Sequence, residues 1–295
     1  MEQSDLVSAL AKGMVPKGSA RPIGAILVEA GRLTPEDVQR ILRLQGEKGL
    51  RFGDAAIKLR LLTPADVEFA LARQFDYPLL ARGQSRVSEA VIAAYDLSSP
   101  KVEALRGLRS QLMLRWFDHD TRRRTLAIVS ATRNEGRSFI AANLAVVFAQ
   151  LGERTLLIDA DLRHPRQHEF FGLENRVGLS AVLAGRAGPE AIQRITSLHH
   201  LSVLPAGVVP PNAQELLARP TFPHLLDQLA TQLDVILLDS PAASETADAQ
   251  MLAVRAGAAL IVARKNATRM WRVQGMSDSV AEARATIVGA VLNDF

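Results

Sequence analysis

Beyond residue 125 the chain alternates short, almost uninterrupted apolar runs with segments whose apolar residues recur at helical spacing. Such apolar strands are typical of a parallel sheet that helices cover on both faces. Ligands of these sheets bind at the carboxyl ends of the strands. The pattern therefore predicts an α/β domain, with strands at 126–129, 155–158, 201–204, 235–238, 258–262 and 286–292.

An internal repeat precedes this region. Residues 21–45 and 51–74 align so that a Thr-Pro dipeptide beginning at Thr34 falls over one beginning at Thr63. In each copy the threonine is a natural N-cap, proline takes the first helical position, and an acid follows in the first turn. We expect each copy to form a short helix, a turn and a second helix.

The 295 residues, of which 48% are hydrophobic, are enough for one large and one small core. We expect a small all-α domain at 1–80, a linker at 81–100 and the α/β domain at 101–295. The chain contains no cysteine, which excludes disulfides and thiolate metal sites and fits a reducing cytoplasm. No apolar run approaches the ~18 residues that a membrane span needs. The formal net charge of +4 is modest for this length and argues against nucleic acid as a partner.

A glycine-containing turn follows the first predicted strand. It reads SATRNEGRS over 130–138 and leads into an apolar helical segment. Such a turn presents unpaired backbone N–H groups and the positive end of the helix dipole to a phosphate. A strict P-loop reads GxxxxGK[ST], whereas Ala131 stands here for the first glycine and Arg137 for the lysine.

Three carboxylates are predicted at the same edge of the sheet. Asp159 and Asp161 lie at the tip of the second strand, and Asp239 lies at the tip of a later one. With Ser138 they would form the oxygen-rich setting that a nucleotide-bound Mg²⁺ prefers. The alternative is that each aspartate caps the helix that follows it.

On these residues the chain resembles the bacterial tyrosine kinases of polysaccharide co-polymerase systems. Its Walker A motif is ATRNEGRS, Walker A′ is LLIDADLR and Walker B is VILLDSP, and the likeness extends over 103–294. The resemblance implies a P-loop NTPase-like fold with ATP and Mg²⁺ as cofactors. It implies a tyrosine kinase-like regulator of exopolysaccharide chain length and export, cytoplasmic and held at the inner membrane by a membrane-bound co-polymerase.

The resemblance also implies roles for individual residues. Asp159 would accept the tyrosine proton, Arg137 would act with it in catalysis, and Ser138, Asp161 and Asp239 would hold the metal. The residues implied to contact ATP are Asn134, Glu135, Gly136, Arg137, Ser138, Phe139 and Asn293. In this family an ExxRxxR element assembles the kinases into rings, and here the residues that would bridge subunits are Glu103, Arg106 and Arg109. The alternative is an ordinary solvated helix face, which has the same spacing.

Departures from the family pattern favour an alternative. Arginine and lysine are not interchangeable partners for phosphates, so Arg137 predicts that nucleotide binding survives while turnover falls. The C-terminal tyrosine cluster is missing, because the two tyrosines are Tyr77 and Tyr95. A catalytically weak, ATP-gated scaffold is therefore one alternative. A MinD/ParA-like switch ATPase is another, although Thr132 stands where those ATPases have their signature lysine.

The repeat resembles the domain at the front of type II secretion and pilus ATPases, whose duplicated motif can bind cyclic di-GMP. Pro22 stands where the first motif has arginine, and Arg60 stands where the second has its second glycine. A helical protein-docking module is the alternative. The residues that the resemblance offers for cyclic di-GMP are Arg21, Gly24, Leu27, Arg51 and Gly53.

Overall fold

The structure is a computed structural model that describes residues 21–75, 77–119 and 123–294. The chain divides into two compact units, Met1–Ala81 and Arg82–Phe295. Within the described ranges, no helix combines the length and the apolar character needed to cross a membrane.

The front unit consists of two helical hairpins, one from each copy of the repeat. Thr34 and Thr63 both form capping boxes, with Asp37 and Asp66 as the reciprocal partners. The predicted helix starts are confirmed because the side-chain oxygens of both threonines accept the backbone N–H three residues ahead. The helices of this unit are α1 (Ile23–Glu29), α2 (Pro35–Lys48), α3 (Phe52–Lys58) and α4 (Pro64–Gln74).

The two copies form one core between them. Helix α1 packs against α4, and α2 packs against α3, so the first helix of each copy meets the second helix of the other. Within each copy, glycine also allows the two helices to approach closely. A Cβ atom at Gly53 would lie 2.7 Å from Val67 Cγ1, and one at Gly24 would lie 3.4 Å from the equivalent Val38 Cγ1.

The second unit is an α/β fold built on one seven-stranded sheet. Its strands are β1 (Thr125–Ser130), β2 (Thr155–Asp159), β3 (Gln193–Arg194), β4 (Leu201–Leu204), β5 (Val235–Asp239), β6 (Ala258–Arg264) and β7 (Thr286–Asn293). Its α-helices are α5 (Pro100–Arg115), α6 (Arg137–Leu151), α7 (Gln167–Phe171), α8 (Leu179–Leu183), α9 (Ala213–Ala218), α10 (Thr221–Ala230), α11 (Asp248–Ala256) and α12 (Met270–Glu282).

The strand order is β3-β4-β2-β5-β1-β6-β7. All neighbouring strands are parallel except β3 and β4, which are antiparallel. Because successive side chains of a strand point to opposite faces, each buried strand supplies two cores. On one face α6 packs against β1, β2 and β5, and on the other α11 packs against β1 and α12 against β6. The predicted mostly parallel sheet with helices on both faces is confirmed.

The segment predicted as a linker at 81–100 lies largely in the second unit. The backbone N–H of Ser88 donates to the carbonyl of Phe170 at 2.8 Å. The side chain of Asn143, on α6, accepts from the N–H of Ala93 at 2.9 Å, and Gln150 donates to the carbonyl of Ala93 at 2.8 Å. Two polar side chains of α6 therefore bind this segment.

Candidate active site

The turn after β1 ends at the start of α6. Gly136 is the N-cap of α6 with φ of 91°, and Asn134 has φ of 61°. Both values lie in the left-handed region that glycine adopts freely and asparagine tolerates best. The turn thus places the first backbone N–H groups of a 15-residue helix at the carboxyl end of β1, where the helix dipole favours an anion.

The side chain of Glu135 fastens this turn from inside. Its carboxylate accepts from the N–H and the hydroxyl of Thr132 at 2.9 and 2.7 Å, and from the hydroxyl of Thr268 at 2.5 Å. The amide of Asn293 donates to the carbonyl of Glu135 at 3.1 Å. Glu135 and Asn293 thus shape the loop, and their predicted contact with ATP stays a prediction.

The sheet order brings the predicted carboxylates together. Asp159 and Asp239 end β2 and β5 and are partners in the register of these two strands. Because β5 also neighbours β1, the three strand ends lie side by side beside the loop. Asp161 follows β2 closely, and the hydroxyl of Ser138 lies near enough to Asp239 to lower the pKa of its carboxyl. One edge of the sheet therefore carries the loop and all three aspartates.

Arg137 points into this cluster. Its Nη2 lies 3.3 Å from Asp161 Oδ2, its Nε lies 3.3 Å from Asp239 Oδ1, and its Nη1 donates to Ser130 Oγ at 2.6 Å. The side chain is 9% exposed. The guanidinium therefore bridges the ends of β1, β5 and the segment after β2.

Asp159 has a different environment. Its Oδ2 accepts from the backbone N–H groups of Arg166 and Gln167, both at 2.9 Å, while its buried Oδ1 has no hydrogen-bond partner among the described residues. Burial raises the pKa of this carboxyl well above its usual range, and the neighbouring charge of Asp239 raises it further. A carboxylate with a raised pKa and an open oxygen can accept a proton.

The carboxylate oxygens of Asp161 and Asp239 are all engaged. Asp161 Oδ1 accepts from the N–H of His164 at 2.9 Å, and Asp239 Oδ2 accepts from Nε2 of Gln167 at 2.7 Å. Arg137 takes the remaining oxygen of each. Burial raises the pKa of Asp239, and Arg137 opposes this effect. The predicted metal ligands are thus close together. In this arrangement, however, each carboxylate oxygen of Asp161 and Asp239 already has a hydrogen-bond partner, so these residues do not fit Mg²⁺. The described residues also contain no cluster of three metal-binding side chains.

A crevice of about 290 Å³ opens over the loop. Its lining includes Phe139, the acids Glu135, Asp161 and Glu245, and four arginines, Arg133, Arg137, Arg166 and Arg264. Positive charge around a concave surface raises the local concentration of anions. The crevice therefore suits a phosphate-bearing ligand. A larger groove of about 480 Å³ between α11 and α12 is mostly apolar and has no carboxylate in its lining.

Sequence reasoning missed three residues of this site. Gln167 is fully buried and links Asp239 to the carbonyl of Ser138, while Thr268 and Ser130 bind Glu135 and Arg137. Gln167 begins α7, a helix of five residues that is too short for a detectable apolar period. Ser130 ends β1, and Thr268 lies in the turn between β6 and α12. These positions at the carboxyl ends of strands are the one signal that could have found them.

The residues predicted to bridge subunits lie on α5. Arg106 donates to the carbonyl of Leu97 at 2.7 Å and pairs with Glu103 at 3.1 Å, and Arg109 donates to the carbonyl of Val147 on α6 at 3.0 Å. Both arginines therefore hold α5 against its own unit. The Glu103 side chain is 73% exposed, and a role of the three residues in assembly stays a prediction.

The residues offered for cyclic di-GMP are not arranged as one exposed site. Leu27 is fully buried in the core, and Gly24 and Gly53 provide the close helix contacts described above. Arg21 and Arg51 are exposed, and Arg21 pairs with Glu29 at 3.3 Å. These positions favour a helical docking module, and cyclic di-GMP binding stays a prediction.

Known proteins resemble the second unit. A family model described as "ParA: NUBPL iron-transfer P-loop NTPase" matches residues 121–294. Tyrosine-protein kinase YwqD of Bacillus subtilis (strain 168) is 35% identical over 209 residues, which are 71% of this chain and 87% of YwqD. Tyrosine-protein kinase ptk of Acinetobacter johnsonii is 32% identical over 206 residues, which are 70% of this chain and 28% of ptk. The chain thus spans most of one relative and less than a third of the other.

A solved structure has the same fold. The crystal structure of the chimerical protein CapA2B2 superposes with a TM-score of 0.65 at 32% identity, covering 77% of this chain and 98% of that chain. The likeness confirms the predicted P-loop NTPase-like fold.

Proposed function

This chain belongs to the bacterial tyrosine kinases, a family of P-loop NTPases, and on that premise we propose that it binds ATP and acts as a tyrosine kinase-like regulator of exopolysaccharide chain length and export. The observation that carries the proposal is the buried Oδ1 of Asp159, which has no partner among the described residues and lies at the edge where the phosphate loop begins. A membrane-bound polysaccharide co-polymerase is the proposed partner.

The residues would act as follows. The N–H groups at the start of α6 hold the phosphates, and the arginines of the crevice attract them. Asp159 accepts the proton of the tyrosine hydroxyl through Oδ1, and its two backbone donors keep Oδ2 fixed. ATP supplies the γ-phosphoryl group, which the tyrosine oxygen accepts as the bond to ADP breaks.

A catalytically weak, ATP-gated scaffold is the second candidate. The ion pairs of Arg137 with Asp161 and Asp239 favour it, because a guanidinium held by two carboxylates is not directed at a phosphate. Nucleotide would then change assembly or partner binding with little transfer.

Incubation of the full chain with γ-labelled ATP and a random Glu-Tyr copolymer tests the kinase. We expect phosphotyrosine with the wild type, none with Asp159→Asn, and wild-type labelling with the exposed control Asp278→Asn. Nucleotide-dependent assembly without label would favour the scaffold. Absence of any nucleotide binding would refute both.

A further inference from the structure

We propose that Arg137 sets the ligand specificity of this site, so that the site takes nucleotide without a divalent cation. The guanidinium already holds the two carboxylates on which a metal would depend. The inference rests on the proposed nucleotide binding and adds to it the ionic form in which the nucleotide binds.

The guanidinium fits its surroundings closely. Each of its three nitrogens has a different oxygen partner, on Asp161, Asp239 and Ser130, within 3.3 Å. These oxygens come from the ends of β1 and β5 and from the segment after β2. Because it is almost fully buried and bound by three oxygens, this guanidinium has one fixed position, whereas a surface arginine can move between several.

Guanidinium and metal would compete for the same oxygens. Arginine stays protonated in proteins, so Arg137 keeps its positive charge. Mg²⁺ demands near-octahedral oxygen geometry at about 2.0–2.1 Å. To reach Asp161 and Asp239 it would have to displace Arg137 or lie against it, and weak screening makes two buried cations in contact unfavourable.

The other oxygens of these carboxylates give a metal no easier route. Asp161 Oδ1 accepts a backbone N–H from His164, and Asp239 Oδ2 accepts the amide of Gln167. Gln167 is itself fully buried and also donates to the carbonyl of Ser138. A metal that bound Asp239 Oδ2 would leave this buried amide without its carboxylate partner, which is unfavourable.

The chain supplies positive charge that a metal would otherwise bring. Arg133, Arg166 and Arg264 line the crevice over the loop. Arg133 pairs with the partly buried Glu245 at 3.2 Å, and Arg166 pairs with the exposed Glu169 at 2.8 Å. Exposed pairs exchange partners at little cost, so at least Arg166 can turn to a phosphate. Phosphate oxygens can therefore find cationic partners here while Arg137 keeps Asp161 and Asp239.

Calorimetric titration of the full chain with ATP, in excess Mg²⁺ and in excess EDTA, tests the inference. For the wild type we expect Kd values within about threefold of each other, a difference below ~1 kcal/mol. For Arg137→Lys, whose single nitrogen cannot take the three positions of the guanidinium nitrogens, we expect Mg²⁺ to tighten binding at least ~10-fold. The control Arg154→Lys changes another carboxylate-bound arginine, away from the loop, and should behave as the wild type.

A second measurement does not need ATP. Titration of Mn²⁺ into the nucleotide-free chain, followed by electron paramagnetic resonance, should find no bound ion in the wild type and a bound ion in Arg137→Ala. Loss of tenfold or more of the wild-type ATP affinity in EDTA would overturn the inference and leave the nucleotide site standing. Absence of ATP binding under both conditions would remove the proposed function as well.

Discussion

Nε of Arg137 lies 3.3 Å from Oδ1 of Asp239, which joins the first residue of α6 to the last residue of β5 across 102 positions of sequence. Asp239 is fully buried and the Arg137 side chain is 9% exposed. Removing one partner of such a pair leaves an uncompensated buried charge, which typically costs about 3–5 kcal/mol. The phosphate loop is therefore coupled to the stability of the sheet.

Asp159→Asn should stabilise the nucleotide-free protein while it abolishes tyrosine labelling. The pKa of Asp159 is raised by burial, so the stability of the wild type is full below the unfolded pKa and falls as pH rises toward the folded one. Asparagine has no such loss and keeps an oxygen for the two backbone donors. In chemical denaturation at pH 7, we expect the free energy of unfolding of the variant to exceed that of the wild type by about 1 kcal/mol. If the two proteins were equally stable at pH 7, as they should be near pH 3, the prediction would be wrong.

Thr268→Val should loosen the phosphate loop without unfolding the chain. The substitution removes one donor from the buried carboxylate of Glu135 and leaves the two donors of Thr132. We expect about 1–2 kcal/mol of destabilisation and nucleotide affinity lower by up to ~10-fold. The control is Thr231→Val, which removes an exposed hydroxyl on the C-cap of α10. An equal loss of nucleotide affinity in the control would contradict the role of Thr268 in the loop.

Asp234→Asn should lower stability at neutral pH but not in acid. Hydrogen bonds from Arg154 lower the pKa of Asp234 to about 2. A depressed pKa stabilises the folded state above the unfolded pKa, and this contribution disappears as pH falls through the folded value. We expect the variant to lose about 1–2 kcal/mol at pH 7. Thermal unfolding from pH 7 to pH 2 should bring the two proteins together; a constant difference would refute the assignment.

Arg60→Gly should stabilise the front unit. Arg60 has φ of 57° after the last turn of α3, and Gly31 has φ of 67° at the equivalent position after α1. An L-residue with a side chain pays roughly 1 kcal/mol in this left-handed region, and glycine pays none. We expect a gain of about 1 kcal/mol from Arg60→Gly and a similar loss from Gly31→Arg. Calorimetry of the full chain would measure both, and a loss from Arg60→Gly would contradict the account.

The fold could be predicted because its determinants are local. All six predicted strands exist, and the run at 201–204 coincides with β4. The Thr-Pro dipeptides fix the starts of α2 and α4. Strand β3 was missed because it has two residues, both partly exposed, and its pairing with β4 depends on tertiary structure.

The site could be predicted only in part. The sequence predicts that Asp159, Asp161 and Asp239 end strands, and the sheet order then places them together. The direction of the Arg137 side chain has no sequence signal, because it depends on the positions of Asp161, Asp239 and Ser130 in space. The same is true of Gln167, whose contacts join residues from three elements.

The pairing of helices across the two copies has a consequence for the stability of the front unit. Since α1 rests on α4 and α2 on α3, either copy alone would lack the helices that complete its core. Deleting one copy from the present chain would remove both helix pairs at once.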